Sequence, residues 1–291
     1  MDWLNSVAQG ILLGGFYALL ATGLSLVFGV MRLVNLAHGD LNILAAFLAL
    51  TAVELTGLGP IPALALVVPL MMLLGYVLHR GMLTWTLEAG VLPPVLVTFG
   101  LAIILQNVLL GTYSADSRGL DAGPIESASI RILDQLAIGV FPLITLMVAV
   151  GILVGLHVML SRTQLGRVLR ATADDGEAAR LMGIDHRHVH ALAMAIAFGT
   201  VAVAGIFLGI RTTFGPFDGP TRLIYAFEAV VIGGLGSLWG TLVGGIVLGV
   251  AQAVGGKIDP AFQIMAGHLV FLAVLVFRPQ GLFTRPTLRA A

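Results

Sequence analysis

The residues able to do chemistry in this chain stand in apolar surroundings, where each is costly unless it finds a partner. Asn35, His38, Asp40 and Asn42 crowd one short stretch, while Glu54, Gln106, Asn107, His157, Glu228 and His268 stand within greasy runs. Asn35-Leu36-Ala37-His38-Gly39-Asp40 admits two readings. One is a tight loop, with Asn and Gly supplying the turn. The other is an unwound stretch whose backbone lines a pathway, because irregular backbone at membrane depth survives only where it is buried or wet. Periodicity does not choose between them. Glu228, between Phe227 and Ala229, is expected to pair with Arg222 or Arg211, a structural ion pair being favoured over a substrate contact. His157 and His268 are expected as hydrogen-bond groups between helices. His186, His188 and His190 have no converging carboxylate or cysteine, so a metal site is not expected.

Signatures of bond-making chemistry are missing from the sequence. There is no GxxxxGK[ST] loop: Gly255-Gly256-Lys257-Ile258 lacks the earlier glycine and the hydroxyl residue that cradle a nucleotide's phosphates and Mg²⁺. No Ser/His/Asp set, paired carboxylates or H-E-x-x-H occurs. Cysteine is absent, which excludes disulfides and thiolate metal sites. Net charge is zero, so nucleic acid is not an expected partner.

The elements that must position these residues are membrane helices. Hydrophobic residues make up 58% of the chain and charged residues 10%, against about 25% charged in a soluble domain. Mean hydropathy is +1.02. The apolar runs are continuous, which fits helices rather than the alternating segments of a barrel. An all-α polytopic membrane protein is therefore expected, a single transmembrane domain over 1–291 with spans near 7–30, 41–56, 61–79, 93–111, 137–160, 188–210, 223–235, 238–256 and 262–278. The seventh ends in Gly233-Gly234-Leu235-Gly236, so a broken or re-entrant helix is expected there. Eight and nine crossings both remain open. MDWLNSVAQG has no basic region of the kind a cleaved signal needs, so the first helix reads as retained.

Lysine and arginine set the direction, because cytoplasmic loops carry the excess. With nine crossings, one side holds Arg32, Arg80, Arg162, Arg167, Arg170, Arg180, Arg187, Arg278, Arg285 and Arg289; the other holds Arg118, Arg131, Arg211, Arg222 and Lys257. The split of ten to five places the loop 161–187 in the cytoplasm and the N-terminus outside; a re-entrant seventh segment would flip the tail. The outer loop 112–136 reads as a solvated loop, or as a lip meeting another protein. Glycines four apart (Gly10 and Gly14; Gly236, Gly240 and Gly244; Gly245 and Gly249) let backbones approach closely. They predict bundle packing, with a sliding seam as the functional alternative.

One polar island interrupts the apolar sequence: LRATADDGEAARLMGIDHRH, Leu169 to His188. Within it, Thr172 to Met182 reads as a short helix, with Asp174 or Asp175 as N-cap and Gly183 as the stop. An ordinary loop does not need a helix there, whereas a partner with a groove would.

GEAARLMGI resembles the cytoplasmic coupling loop of ATP-binding cassette importer permeases. The chain as a whole resembles the LivH-type permeases of high-affinity branched-chain amino acid transporters, along nearly its full length. The matching pieces, in order, begin with Gly14-Gly15-Phe16-Tyr17-Ala18-Leu19, Gly29 to Asp40 (GVMRLVNLAHGD) and Thr98 to Asn107 (TFGLAIILQN). They continue with Thr163-Gln164-Leu165-Gly166-Arg167, Gly233 to Gly240 (GGLGSLWG) and Arg278-Pro279-Gln280-Gly281-Leu282.

This resemblance implies a subunit that translocates aliphatic amino acids through a bacterial cytoplasmic (inner) membrane and performs no bond chemistry. The implied partners are a second permease subunit (LivM-like, or a second copy), two ATPase subunits that bind ATP and Mg, a periplasmic binding protein and the lipid bilayer. It implies coupling to the ATPase through Arg170, Asp174, Asp175, Glu177, Ala178, Ala179, Arg180 and Gly183. Candidates for the substrate pathway are Asn35, His38, Asp40, Gln106, Asn107, Glu228, Gly233 and Gly234. Glu228 departs from the family, which carries a small or hydroxyl residue at that position. A urea or short-amide permease is the nearest alternative, and an ion-coupled carrier working through Glu228 or Glu54 is a more distant one.

Overall fold

The computed structural model describes residues 2–87, 90, 92–133 and 136–283. Arg285 and Arg289 of the charge count lie outside the described residues. Among those described, the chain is a helical bundle with one small hairpin, and it is a multi-pass membrane protein. The helices are α1 (Asp2–Met31), α2 (His38–Thr56), α3 (Pro60–Leu78), α4 (Thr84–Leu87), α5 (Leu92–Tyr113), α6 (Val140–Arg162), α7 (Gln164–Asp174), α8 (Gly176–Leu181), α9 (His186–Arg211), α10 (Gly219–Gly233), α11 (Leu238–Ile258) and α12 (Phe262–Phe277). A π-helical turn, His79–Leu83, joins α3 and α4 into one rod, so the third span runs on to Leu87 rather than ending near 79. Seven of these segments are long and apolar enough to cross a membrane, and α12 is a shorter apolar helix.

The centre of the bundle is α1 and α9. In each, 83% of the most apolar window is buried, against 22%, 17% and 22% for the spans of α3, α5 and α6. Glycine explains how helices reach so central a position. Gly14 lies against Gly245 and Ile246, and Gly10 against Gly249 and Val250, so α1 and α11 run antiparallel with their backbones touching. The two glycine runs of the sequence are thus the two halves of one interface. Gly233 meets Gly240, and Gly244 meets Ala229, in the same manner between α10 and α11.

Pairings fix the directions. Gly23 meets Ala197 and Thr200, and Phe16 lies under Arg211, so α9 opposes α1; Tyr17 packs on Tyr225, and Gly29 on Gly236, so α10 follows α1. Gly255 meets Ala266, and Gly267 meets Gln252, so α12 opposes α11. Nine segments therefore alternate, and the first helix begins on the face opposite to the one where residues 278–283 end. The short α10, about 22 Å long at 1.5 Å per residue, follows the direction of a crossing without its length. Its missing turn is replaced by residues 212–218, which fold down into the bundle.

The loop over 112–136 is more than a solvated loop. It holds two antiparallel strands, β1 (Ser129–Leu133) and β2 (Leu136–Gly139). Its earlier half clamps the sunken segment: Arg118 and Phe214 exchange backbone hydrogen bonds at 2.9 and 2.8 Å, and Leu120 N–H donates to Gly209 at 2.9 Å. Backbone groups taken below the surface need such partners. A two-stranded ribbon this short carries little hydropathy signal, which is why the sequence reads as plain loop.

Candidate functional site

Three groups of residues carry the chemistry, and the first surrounds the start of α2. Residues 32–37 leave the end of α1 and turn back into the bundle. The His38 imidazole donates from Nε2 to the Leu20 carbonyl at 2.7 Å, halfway along α1. Each of the two readings is met in part: the backbone is irregular over 32–37 and an Asn turn closes it, while His38, Gly39 and Asp40 form the first turn of α2. The Asn35 side chain accepts from Ala37 N–H at 3.0 Å, and Leu36 N–H donates to Thr98 Oγ at 3.2 Å. Asn35, His38 and Asp40 are each 2% exposed. The irregular backbone is tolerated because protein groups satisfy it.

Asp40 is the buried carboxylate of this group. Gln106 Nε2 donates to its Oδ1 at 2.9 Å. The carboxylate lies in the first turn of α2 and directly against Gly219, the first residue of α10. Two helix N-termini thus face one negative group, an arrangement favoured by their dipoles. Asn107 does not join. Its amide turns back to the Ile103 carbonyl at 2.8 Å and the side chain is exposed.

The second group crosses α1, α10, α11 and α12. Glu228 is 3% exposed, and its Oε1 meets His268 Nδ1 at 2.5 Å. This corrects the expected pairing with Arg222 or Arg211. Arg222 is six residues away, roughly 9 Å along the helix, and Arg211 instead lies over the Phe16 ring at 4.8 Å. His268 also stacks on Tyr225, whose ring packs against Tyr17; the Tyr17 hydroxyl donates to Gln252 at 2.6 Å. His268 is therefore the interhelical group the sequence suggests, whereas His157 stands exposed beside the Trp239 ring at 5.9 Å. Glu54 is exposed near the end of α2.

Removing one partner of a buried hydrogen bond leaves the other unsatisfied, at a cost of about 1–3 kcal/mol. Glu228 is 3% exposed, so His268→Leu is expected to cost about 2 kcal/mol, read as a fall in thermal unfolding temperature. Adding Glu228→Leu should recover most of the loss. Parental stability in His268→Leu alone would show that the pair contributes nothing.

The third group is the polar island. The structure divides it differently from the single helix expected over Thr172 to Met182. Residues up to Asp174 belong to α7, and α8 begins after a break at Asp175. The break has a local cause. The Asp175 carboxylate accepts from Glu177 and Ala178 N–H at 3.0 and 2.9 Å and so caps a new helix. At the other end, Gly183 has φ +82; its N–H donates to Arg180, and Ile184 N–H to Ala179. That is a Schellman stop, which wants glycine.

The resulting knob buries Ala179 and exposes Glu177, Ala178, Arg180, Leu181 and Met182. Leu181 and Met182 are 85% and 82% exposed. Sequence reading took them only as helix formers. The available signal was their place: two large apolar residues at the end of an otherwise polar helix. Asp174 is exposed on α7, and Arg170 is half-buried on the same helix, facing a groove instead of the knob. The knob continues into α9 through Asp185, which caps α9 and lies 3.8 Å from Arg80. The amides of His188 and Arg187, with Arg80, hold its carboxyl below the usual carboxylate range. The clustered histidines have protein partners. His188 Nδ1 hydrogen-bonds the Tyr76 hydroxyl at 2.9 Å, and His190 packs edge-on against His79 and His186.

Gly233 and Gly234 sit apart from the other pathway candidates, at the face that carries α8. Leu282 and Phe283 N–H donate to Ile232 and Gly233 carbonyls at 2.9 and 3.0 Å, and Gly281 lies on Gly234. These glycines receive the strand-like residues after α12. Gly234 and Gly281 both have positive φ, +104 and +81, so the Arg278–Leu282 motif and the Gly233–Gly240 motif form one structural unit.

Comparison with known proteins bears on all three groups together. Residues 6–278 match the family described as "Branched-chain amino acid transport system / permease component". The permease protein BraD of the high-affinity branched-chain amino acid transport system of Pseudomonas aeruginosa is 31% identical over 299 residues, 98% of this chain and 96% of that protein. The corresponding LivH permease of Escherichia coli K12 is 27% identical, with the same coverage. The LivM permease of the same organism is 31% identical over 134 residues, 45% of this chain and 31% of LivM. No solved structure matches the chain. The coverage from near the first helix to the end of the last leaves one conclusion: the chain belongs to the branched-chain amino acid transport permease family.

Proposed function

We propose that this chain is the membrane subunit of an ATP-driven importer for branched-chain and related aliphatic amino acids. The observation that carries the reading is α8, a capped two-turn knob that holds Leu181 and Met182 in solvent between two spans. Its place between α7 and α9 suits a lever that passes the closure of an ATPase dimer into the bundle. The sequence has no phosphate loop of its own, so ATP and Mg belong to partner subunits. A second permease subunit, LivM-like or a second copy, and a periplasmic binding protein complete the assembly. The similarity to both LivH and LivM supports a paired architecture.

Eight described arginines, Arg32, Arg80, Arg162, Arg167, Arg170, Arg180, Arg187 and Arg278, belong to the face of α8. By the positive-inside bias this face is cytoplasmic, which puts the N-terminus on the outside of the cytoplasmic membrane. Asn35, His38, Asp40, Gln106 and Glu228 are the proposed pathway groups, four of them buried and Gln106 partly so. The hydrogen bonds of His38 to backbone, Gln106 to Asp40 and Glu228 to His268 would suit them to shift between two arrangements as the subunits alternate access.

The test is reconstitution. The chain with its ATPase and second permease should accumulate leucine in liposomes only when ATP and the binding protein are supplied. Accumulation by this chain alone, driven by a proton gradient, would instead favour a carrier working through Glu228. Uptake of urea or acetamide in place of leucine would move the substrate class and leave the architecture standing.

A further inference from the structure

A groove opens at the α8 face between α1, α6, α7 and α11. Two adjoining cavities form it, and Arg170, Leu160 and Leu238 line both. Arg170 is half-buried and makes no hydrogen bond or ion pair among the described residues. Asp174, exposed on the next turn of α7, also lines the first cavity, and it forms no ion pair with Arg170 among the described residues. Deeper in, Ser25 lines the first cavity, fully buried, and its hydroxyl has no partner. The second cavity adds His157, Ser161 and Trp239. Trp239 is 40% exposed and stands at the first turn of α11, where the aromatic belt of a membrane protein would lie.

An arginine without an ion pair among the described residues, an unsatisfied buried hydroxyl and apolar walls together suit one kind of occupant. It has an anionic, oxygen-rich head and an apolar body. The apolar side of α6 supplies the track for that body. Val158 and Val154 are 43% and 42% exposed there, in the turn that lines the groove and about one turn beyond it. Basic pockets between helices at the cytoplasmic boundary are where anionic headgroups bind.

We propose that this groove holds the phosphate of an anionic phospholipid from the adjoining leaflet, bound by Arg170, with its acyl chains along α6. The lipid bridges α6 and α7 to α11 and so steadies α7, the helix on which the α8 knob is mounted. The inference is independent of the transported substrate.

Trp239 reports on the site directly. In the full chain carrying Trp3→Phe and Trp85→Phe, Trp239 is the remaining tryptophan. In nanodiscs, brominated phosphatidylglycerol should quench it with about fivefold greater apparent affinity than brominated phosphatidylcholine, the preference one arginine confers near an anionic surface. Arg170→Gln should abolish the preference, Arg170→Lys should keep most of it, and Arg162→Gln should leave it unchanged. Equal quenching by the two lipids, or a preference that survives Arg170→Gln, overturns the proposal. A preference lost equally in Arg162→Gln also overturns it, because the effect would then be general surface charge. If Arg170→Gln does not incorporate, the comparison of the two lipids with Arg162→Gln and Arg170→Lys decides. Relief of quenching by inorganic phosphate, but not by chloride at equal ionic strength, would make the ligand a free phosphate and overturn the lipid assignment.

Discussion

Replacing Gly39 by valine is expected to prevent the chain from reaching its folded state. Gly39 lies in the first turn of α2, against the Gly219 carbonyl and the Leu223 amide of α10. A side chain at either glycine would occupy the other helix's backbone or the Asp40 carboxylate. Neither partner can retreat cheaply. Gln106 fixes Asp40, and the Leu20 carbonyl fixes His38, so the start of α2 is tied on both sides. Overpacking an ordinary core costs about 1–3 kcal/mol, because side chains can turn aside. Here the collision is with backbone, so the loss should reach or pass the top of that range. That is a large part of a total stability of roughly 5–15 kcal/mol. The expected result is little monodisperse protein after extraction, and an unfolding temperature many degrees lower in what survives. Gly100→Ala and Gly151→Ala are the controls, since a Cβ at either meets nothing within 4 Å; both should behave as the parent. If Gly39→Val extracts and melts like the parent, the close approach of α2 and α10 is not a feature of the molecule.

The contrast between Gly39 and Gly100 also marks how much a sequence of this kind reveals. Hydropathy is a local property, and it located most of the spans, the short seventh segment and the polar island within a few residues, while missing the extension of the third span to Leu87. Caps are local too, so Asp175 and Gly183 were legible as the ends of a helix. Pairing is not local. Gly10 and Gly14 announce a close interface but do not say that Gly245 and Gly249 face them. Glu228 announces the need for a partner, and the nearest arginines in sequence were the natural guess. The actual partner, His268, is 40 positions away on α12. The α7–α8 break was missed for a different reason. Thr172 to Met182 is rich in alanine, leucine and methionine at its ends, but Asp174-Asp175-Gly176 at its centre are poor helix formers, and there the Asp175 carboxylate captures two amides and starts a new helix. The buried polar cluster was thus legible in residue types at Asn35, His38, Asp40 and Gln106. Its geometry was not, because the neighbouring amides Gln106 and Asn107 lie about a third of a helical turn apart and only the first faces Asp40.

Charging the end of α8 should disconnect energy from transport without disturbing the bundle. With Leu181→Asp and Met182→Asp together, membrane insertion and thermal stability are expected to stay near the parent, because both side chains lie almost wholly in solvent. What changes is docking. A central apolar anchor removed from an interface costs about 2 kcal/mol or more, and two acids placed in an apolar groove add the cost of desolvating charge. Affinity for the ATPase should fall by at least 30-fold per anchor, since each 1.4 kcal/mol is tenfold. Uptake should fall with it, while residual ATP hydrolysis by whatever complex remains should no longer respond to loaded binding protein. Glu177→Arg should act in the same direction but less strongly, as a charge at the rim of the contact. Gly183→Pro tests the mounting instead of the contact. Proline holds φ near −65° and has no N–H, whereas this position has φ +82 and donates to Arg180. The knob should then lose its stop and its fixed angle to α9, leaving subunit association measurable but uptake uncoupled from hydrolysis. If the double aspartate variant transports leucine at the parental rate, α8 is not the lever and the proposed coupling fails.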